Sequence, residues 1–166
     1  MKALHHVGIT VADLDRAIRF YNGVLGLELR SEPSPVFDNA SLGPAVGVPG
    51  AALRQVNVAL GETTLELLEY TAPPSPIDAP LPQNALGAHH VAFLVDDIEA
   101  KMRELSERGI EFFSEVTVVD EGVLAGWRWV YFADPDGNPL ELVEIAYEHA
   151  EERRAAARAY LEGAAR

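Results

Sequence analysis

The chain repeats itself, and a tandem repeat constrains architecture more tightly than any other feature of a sequence this size. His5-His6-Val7 returns as His89-His90-Val91, and the match continues through Val11 and Val95, Asp13 and Asp97, and Leu14 and Ile98. The offset is 84 residues (89 less 5). A second echo closes each half, where Glu66-Leu67-Leu68-Glu69 is answered by Glu141-Leu142-Val143-Glu144 at an offset of 75 (141 less 66). Both ends are shared in matching order, so two copies of one supersecondary unit are expected, differing by nine residues (84 less 75) in the middle.

Each half has the same layout. Residues 3–11 alternate and are rich in Val and Ile, which predicts a strand. Asp13 is placed to cap a helix in which Leu14, Ala17, Ile18, Tyr21 and Leu25 recur at helical spacing, and Gly26 ends it. A strand then begins at Leu27-Glu28-Leu29, an irregular insertion with four prolines fills 31–52, and strands follow at 53–60 and 63–70. Five prolines mark 71–87 as a linker. The second half predicts a strand at 88–95, a helix at 97–108 stopped by Gly109, and strands near 111–119, 127–133 and 139–146, with Asp134-Pro135-Asp136-Gly137-Asn138 as a turn. The tail 147–163, rich in Glu, Arg and Ala, predicts a surface helix with an Ala, Tyr160 and Leu161 stripe. The expectation is an α+β chain of tandem βαβββ modules: a first module at 1–70, a linker at 71–87, a second module at 88–146, and a helical tail at 147–166.

Composition narrows the partners. Of 166 residues 48% are hydrophobic, enough for a core. Acidic residues outnumber basic ones 26 to 13, and a net charge of −13 repels phosphate backbones, so no nucleic acid partner is expected. Cysteine is absent, which removes disulfides, zinc-thiolate sites and thiol nucleophiles. No apolar run approaches the roughly 20 residues that span a bilayer, and Met1-Lys2-Ala3-Leu4 carries no signal-peptide pattern. A cytoplasmic protein with a small-molecule substrate, no membrane partner and homodimeric assembly is expected.

Strand parity sorts the charged residues. Val7, Ile9 and Val11 share the apolar face with His5, while His6, Gly8 and Thr10 oppose it; in the second copy His90, Ala92 and Leu94 oppose His89, Val91 and Phe93. His5 and His89 are expected to be apolar-face histidines with backbone partners. Glu66 sits between Leu65 and Leu67 and Glu141 between Leu140 and Leu142, so both carboxylates should point where His6 and His90 point. Glu69 is the alternative to Glu66 if a bulge shifts the register. Two imidazoles and two carboxylates suit one divalent ion, whether nickel, zinc, cobalt, manganese or iron. Trp127, Trp129 and Tyr131 share a strand face and are expected in core packing or a dimer contact, with substrate stacking as the alternative.

The segments His6-Val-Gly-Ile-Thr-Val11, Phe20-Tyr-Asn-Gly-Val-Leu-Gly26, Gly87-Ala-His-His-Val-Ala-Phe93 and Asp134-Pro-Asp-Gly-Asn-Pro-Leu-Glu-Leu142 resemble the vicinal oxygen chelate superfamily. This superfamily includes glyoxalase I, methylmalonyl-CoA epimerase, extradiol dioxygenases, and fosfomycin and bleomycin resistance proteins. The resemblance covers about residues 3–146. It implies paired βαβββ units curled into a cup-shaped mixed sheet, with the metal ligands falling on His6, Glu66, His90 and Glu141.

The His-Glu-His-Glu set is similar to that of bacterial glyoxalase I, which implies that Glu141 also serves as the base. Thr10 and Tyr70 stand where that enzyme has an arginine and an asparagine, which argues against glutathione. Methylmalonyl-CoA epimerase resembles the chain in its His-Val strand starts and Glu-Leu-Leu-Glu strand, but its second ligand is usually glutamine. Its coenzyme A site calls for basic residues, and Arg19, Arg30, Arg54 and Arg128 are the candidates here. The function expected is that of a metal-dependent lyase, isomerase or epimerase, acting on a small carbonyl or thioester through a metal-stabilised enolate. A metal-free drug- or metabolite-binding protein and an iron(II) extradiol-type dioxygenase are the alternatives.

Overall fold

The computed structural model describes residues 1–77 and 79–145, together with Glu151, Arg154, Ala155, Arg158 and Ala159 of the tail. In the first half, strands β1 (Val7–Thr10), β2 (Glu28–Leu29), β3 (Ala52–Leu60) and β4 (Thr63–Ala72) form a sheet of order β1-β4-β3-β2. In the second, β5 (Val91–Leu94), β6 (Thr117–Val118), β7 (Arg128–Ala133) and β8 (Pro139–Glu144) form a sheet of order β5-β8-β7-β6. The β1–β4 and β5–β8 pairs are parallel and the others antiparallel. Helix α1 (Leu14–Ile18) follows β1, the short α2 (Leu42–Val46) lies in the insertion, and α3 (Ile98–Glu107) follows β5. Each half is therefore a βαβββ unit with the same order and strand sense, as the repeat predicts. Among the described residues no helix is long and apolar enough to cross a membrane.

Alternation builds each core. Ile9, Val56, Val58, Leu65 and Leu67 are buried in the first unit with Leu14 and Ala17 of α1. Val130, Phe132, Leu140 and Leu142 are buried in the second with Ile98 and Leu105 of α3.

The same lock fixes each helix to its sheet. Asp13 caps α1 by accepting the Arg16 amide at 2.8 Å, and Asp97 caps α3 by accepting the Ala100 amide at 2.8 Å. Such a cap contributes about 1 kcal/mol. A further orphan amide at each helix start is taken by the last strand: Leu14 N–H donates to Glu69 at 2.9 Å and Ile98 N–H to Glu144 at 2.8 Å. The neighbouring strand supplies a cation to each of these carboxylates. Arg54 donates to Glu69 at 2.8 Å and to Asp15 at 3.0 Å, while Arg128 pairs with Glu144 at 3.2 Å and also with Glu99.

Several elements differ from expectation. The first strand begins at Val7, so His5 and His6 precede it, and both are exposed. The first helix turns π-helical at Arg19–Val24, with Leu25 N–H bonded to Phe20 O at 3.0 Å. The wider turn lets the adjacent Phe20 and Tyr21 both reach the core. The strand expected near 111–119 is reduced to β6 and an isolated bridge between Phe112 and Phe132. β4 continues to Ala72, two residues past the expected end of the module. The five described tail residues are helical and exposed; Tyr160 and Leu161 lie outside the described residues.

The chain divides into two compact units, and the division does not follow the halves of the sequence. The first unit takes Met1–Ala85 and also Asp134–Asn138, the turn between β7 and β8. The buried carboxylate of Asp134 organises that segment: it accepts the amides of Asp136 at 2.9 Å and Asn138 at 2.8 Å, and the Tyr21 hydroxyl at 3.0 Å. Arg16 pairs with Asp136, and Asn138 Nδ2 donates to the Thr10 carbonyl at 3.2 Å. Burial, reinforced by the Asp134 charge, raises the Tyr21 pKa far above its ordinary 10.0. In alkali the unfolded chain therefore ionises Tyr21 first, so its contribution to stability is full below pH 10 and is lost as pH rises beyond it. Denaturant titrations from pH 7 to 11 should show a steeper alkaline loss for the parent than for Tyr21→Phe. At neutral pH that variant should be about 1 kcal/mol less stable, because Asp134 keeps its other donors.

Candidate active site

Parallel pairing brings a histidine and a glutamate together in each unit. In the first, Gly8 pairs in register with Glu66, and His6 lies two residues before Gly8 on the same face. His6 Nε2 stands 3.4 Å from Glu66 Oε2. In the second, Ala92 pairs with Glu141, and His90 Nε2 stands 3.1 Å from Glu141 Oε2. Both imidazoles are about two-fifths exposed, while the glutamate side chains are 24% and 12% exposed, so Glu141 is the more desolvated carboxylate. Each pair offers an imidazole nitrogen and a carboxylate oxygen on one face, a donor set suited to a divalent first-row ion.

Glu69 is no substitute for Glu66. Three residues along a strand reverse the face, and Glu69 is committed to the α1 amide and Arg54. An acidic group of Asp97, Glu99 and Glu144 has oxygens within 4.8 Å of one another. Those oxygens already serve α3 amides and Arg128, so this group is a helix anchor.

His5 is exposed, not on the apolar face: its Nδ1 lies 2.7 Å from Nδ1 of His6, so one ring donates and the other accepts. When His6 donates through Nδ1, its lone pair at Nε2 faces the Glu66 carboxylate, an arrangement that calls for a cation between them. His89, also exposed, has its Nδ1 3.4 Å from the Gly87 carbonyl.

The sequence reading missed Tyr131 as part of this group. Register places Tyr131 directly opposite Glu141, and its hydroxyl lies 3.4 Å from His90 Nε2, with the two rings edge to face at 5.2 Å. The signal was available, because the 134–138 turn sets which residues of the flanking strands face each other. The equivalent position in the first sheet, opposite Glu66, is Asn57. Partial burial, then the charge and hydrogen bonding of Glu141, raise the Tyr131 pKa above 10.0.

Residues 3–142 match the model of the Glyoxalase/Bleomycin resistance protein/Dioxygenase superfamily, and the chain belongs to that superfamily. It is similar to a 2-epi-5-epi-valiolone epimerase of an Actinomyces species, at 38% identity over 149 residues, 86% of this chain and 79% of that protein. It is similar also to the mitochondrial methylmalonyl-CoA epimerase of Bos taurus, at 38% over 143 residues, 86% of this chain and 72% of that one. Among solved structures, a glyoxalase family protein from Bacillus cereus superposes with a TM-score of 0.71 at 27% identity, covering 87% of this chain and 95% of its own. The family and the paired βαβββ fold expected from the sequence both hold. The two epimerases support an enzyme with epimerase or isomerase type chemistry.

Replacing Glu141 with glutamine removes a negative charge beside the phenol. The Tyr131 ionisation, followed by ring-carbon NMR through alkaline pH, is expected above 10.0 in the parent and lower in Glu141→Gln. An unchanged titration would separate the two groups.

Proposed function

We propose that the chain is a divalent-metal-dependent epimerase or isomerase that moves a proton at the carbon beside the carbonyl of a small carbonyl or thioester substrate. The observation that carries this reading is the doubled His–Glu pair, at 3.4 Å in one unit and 3.1 Å in the other. Two donors hold a divalent ion weakly, so His6, Glu66, His90 and Glu141 are taken together as the ligand set. When bound, the ion polarises the substrate carbonyl and acidifies the neighbouring C–H. Glu141, the less exposed of the two carboxylates, takes that proton; its return to the neighbouring carbon gives isomerisation, whereas epimerisation requires a second acid on the opposite face, a role left to Glu66. The Tyr131 phenol keeps its proton at neutral pH and acts as a hydrogen-bond donor. His5 orients His6 by accepting its Nδ1–H and leaving Nε2 free.

Elemental analysis of protein purified without chelator, paired with solvent deuterium exchange into α-carbonyl substrates, tests the proposal. One transition-metal ion per chain is expected, with loss in His6→Ala and Glu141→Ala. Weakening of ion affinity by roughly tenfold is expected in His5→Ala. Glu141→Gln should slow exchange by about 10²-fold or more. A chain that takes up no ion under any loading condition and exchanges no α-proton overturns the reading.

A further inference from the structure

Register makes the two site-bearing faces comparable position by position, and they differ in kind. Across the first sheet Gly8, Glu66 and Asn57 lie in one row, which ends at Arg30, whose amide donates to the Asn57 carbonyl at 2.9 Å. Across the second, Ala92, Glu141 and Tyr131 form the matching row, which ends at Phe113, whose amide donates to the Tyr131 carbonyl at 2.8 Å. Two residues along, Thr10, Leu68 and Gln55 are matched by Leu94, Val143 and Trp129. Arg30, Asn57, Gln55 and Thr10 in one copy are therefore answered by Phe113, Tyr131, Trp129 and Leu94 in the other.

Packing of the second unit does not call for this apolar set. Its core lies on the helix-bearing face, where Val130, Phe132, Leu140 and Leu142 are buried. On the site face Leu94 is 55% exposed and Phe113 59% exposed. The first unit keeps the same strand order with Thr10 and Arg30 at these positions, so the scaffold holds without large apolar side chains there. Leu94 and Phe113 stand at opposite edges of a face whose middle is Trp129, Tyr131 and Glu141. Apolar surface left in water is unfavourable, and a continuous stretch of it marks a surface that something covers.

The occupant must also suit His90 and Glu141 on the same face. A protein surface laid over them would desolvate the carboxylate and imidazole and close the site. A small molecule whose carbonyl reaches that pair, and whose apolar group lies beside it, meets both demands.

We propose that the substrate carries an aryl or bulky alkyl group a few bonds from its carbonyl, held on the second sheet by Phe113, Trp129 and Leu94. This rests on the proton-transfer reading above and deepens it by naming what lies beside the reacting carbon. Phe113 and Trp129 supply ring surface and Leu94 supplies methyl groups, while the polar face of the first sheet offers no such contact.

The test uses two ketones with the same reacting end: hydroxyacetone, and hydroxyacetone bearing a benzyl group on its methyl carbon. On ion-loaded protein, deuterium exchange at the hydroxymethyl carbon is followed by proton NMR and binding by tryptophan fluorescence. Contacts are read as nuclear Overhauser effects from the phenyl protons to the Leu94 methyls, and metal content is measured in parallel. The benzyl ketone should bind at least about tenfold tighter and exchange with a kcat/KM at least about tenfold higher, the effect of covering its ring. Leu94→Thr and, separately, Phe113→Arg put the first copy's residues on the second face. Each should cut that preference by roughly fivefold with metal content unchanged. Failure of the benzyl ketone to bind more tightly, or a preference that neither variant changes, overturns the inference and leaves the proton-transfer reading standing. So do variants that fall from dimer to monomer in sedimentation velocity, because a second copy then covers the face. Protein that takes up no ion and exchanges neither ketone, yet shows the Overhauser contacts and the tighter binding, overturns the proton-transfer reading and leaves the apolar face as a binding site.

Discussion

The site depends on a bond that is not in it. In each unit the second glutamate of a Glu-x-x-Glu strand accepts the first amide of the helix and is clamped by an arginine from the next strand. A carboxylate at a helix N-terminus is favoured by the helix dipole as well as by the hydrogen bond. Once Glu69 and Glu144 are held there, strand alternation leaves no choice for the residues three positions earlier. Glu66 and Glu141 must project from the opposite face, where His6 and His90 stand immediately before the parallel partner strands. One anchoring carboxylate thus fixes the helix, the strand register and the aim of the carboxylate that meets the histidine.

Much of this was legible in the sequence because it rests on periodicity. The repeat at His5-His6-Val7 and His89-His90-Val91 predicted two like units, and parity separated Glu66 and Glu141 from the leucines beside them. The parts that were not legible depend on contacts across strands. Glu69 read as a spare for Glu66, because nothing local reveals that Leu14 N–H and Arg54 claim it. Tyr131 read as one of three aromatics on a strand, because its role comes from facing Glu141 across a hairpin. The π-helical turn at Arg19–Val24 and the shortness of β6 leave no mark in apolar spacing, which reports which residues are buried and not how the backbone places them.

Duplication gave two matched scaffolds, and their chemistry diverged on the open face. Opposite the site glutamate the first sheet carries Asn57 and the second carries Tyr131. The histidines diverge in parallel: His6 is held by a second imidazole at Nδ1, whereas His90 meets a phenol at Nε2. The anchoring arginines and glutamates did not diverge. The two copies thus differ on the open face of each sheet, while the helix-bearing face of each is held by packing and by a partly exposed ion pair of the same kind.

The seating of Asp134–Asn138 in the first unit has a consequence for synthesis. Tyr21 and its acceptor Asp134 are 113 residues apart in the chain. A ribosome that has released the first four strands has therefore made a unit whose buried phenol still lacks its partner, an unmade bond costing about 1–3 kcal/mol. Closing so long a loop is slow compared with forming the local hairpin of β3 and β4. The first half of the message thus encodes a folding unit completed only after most of the second half has been translated, and a nascent chain halted near Ala85 remains a partly finished structure.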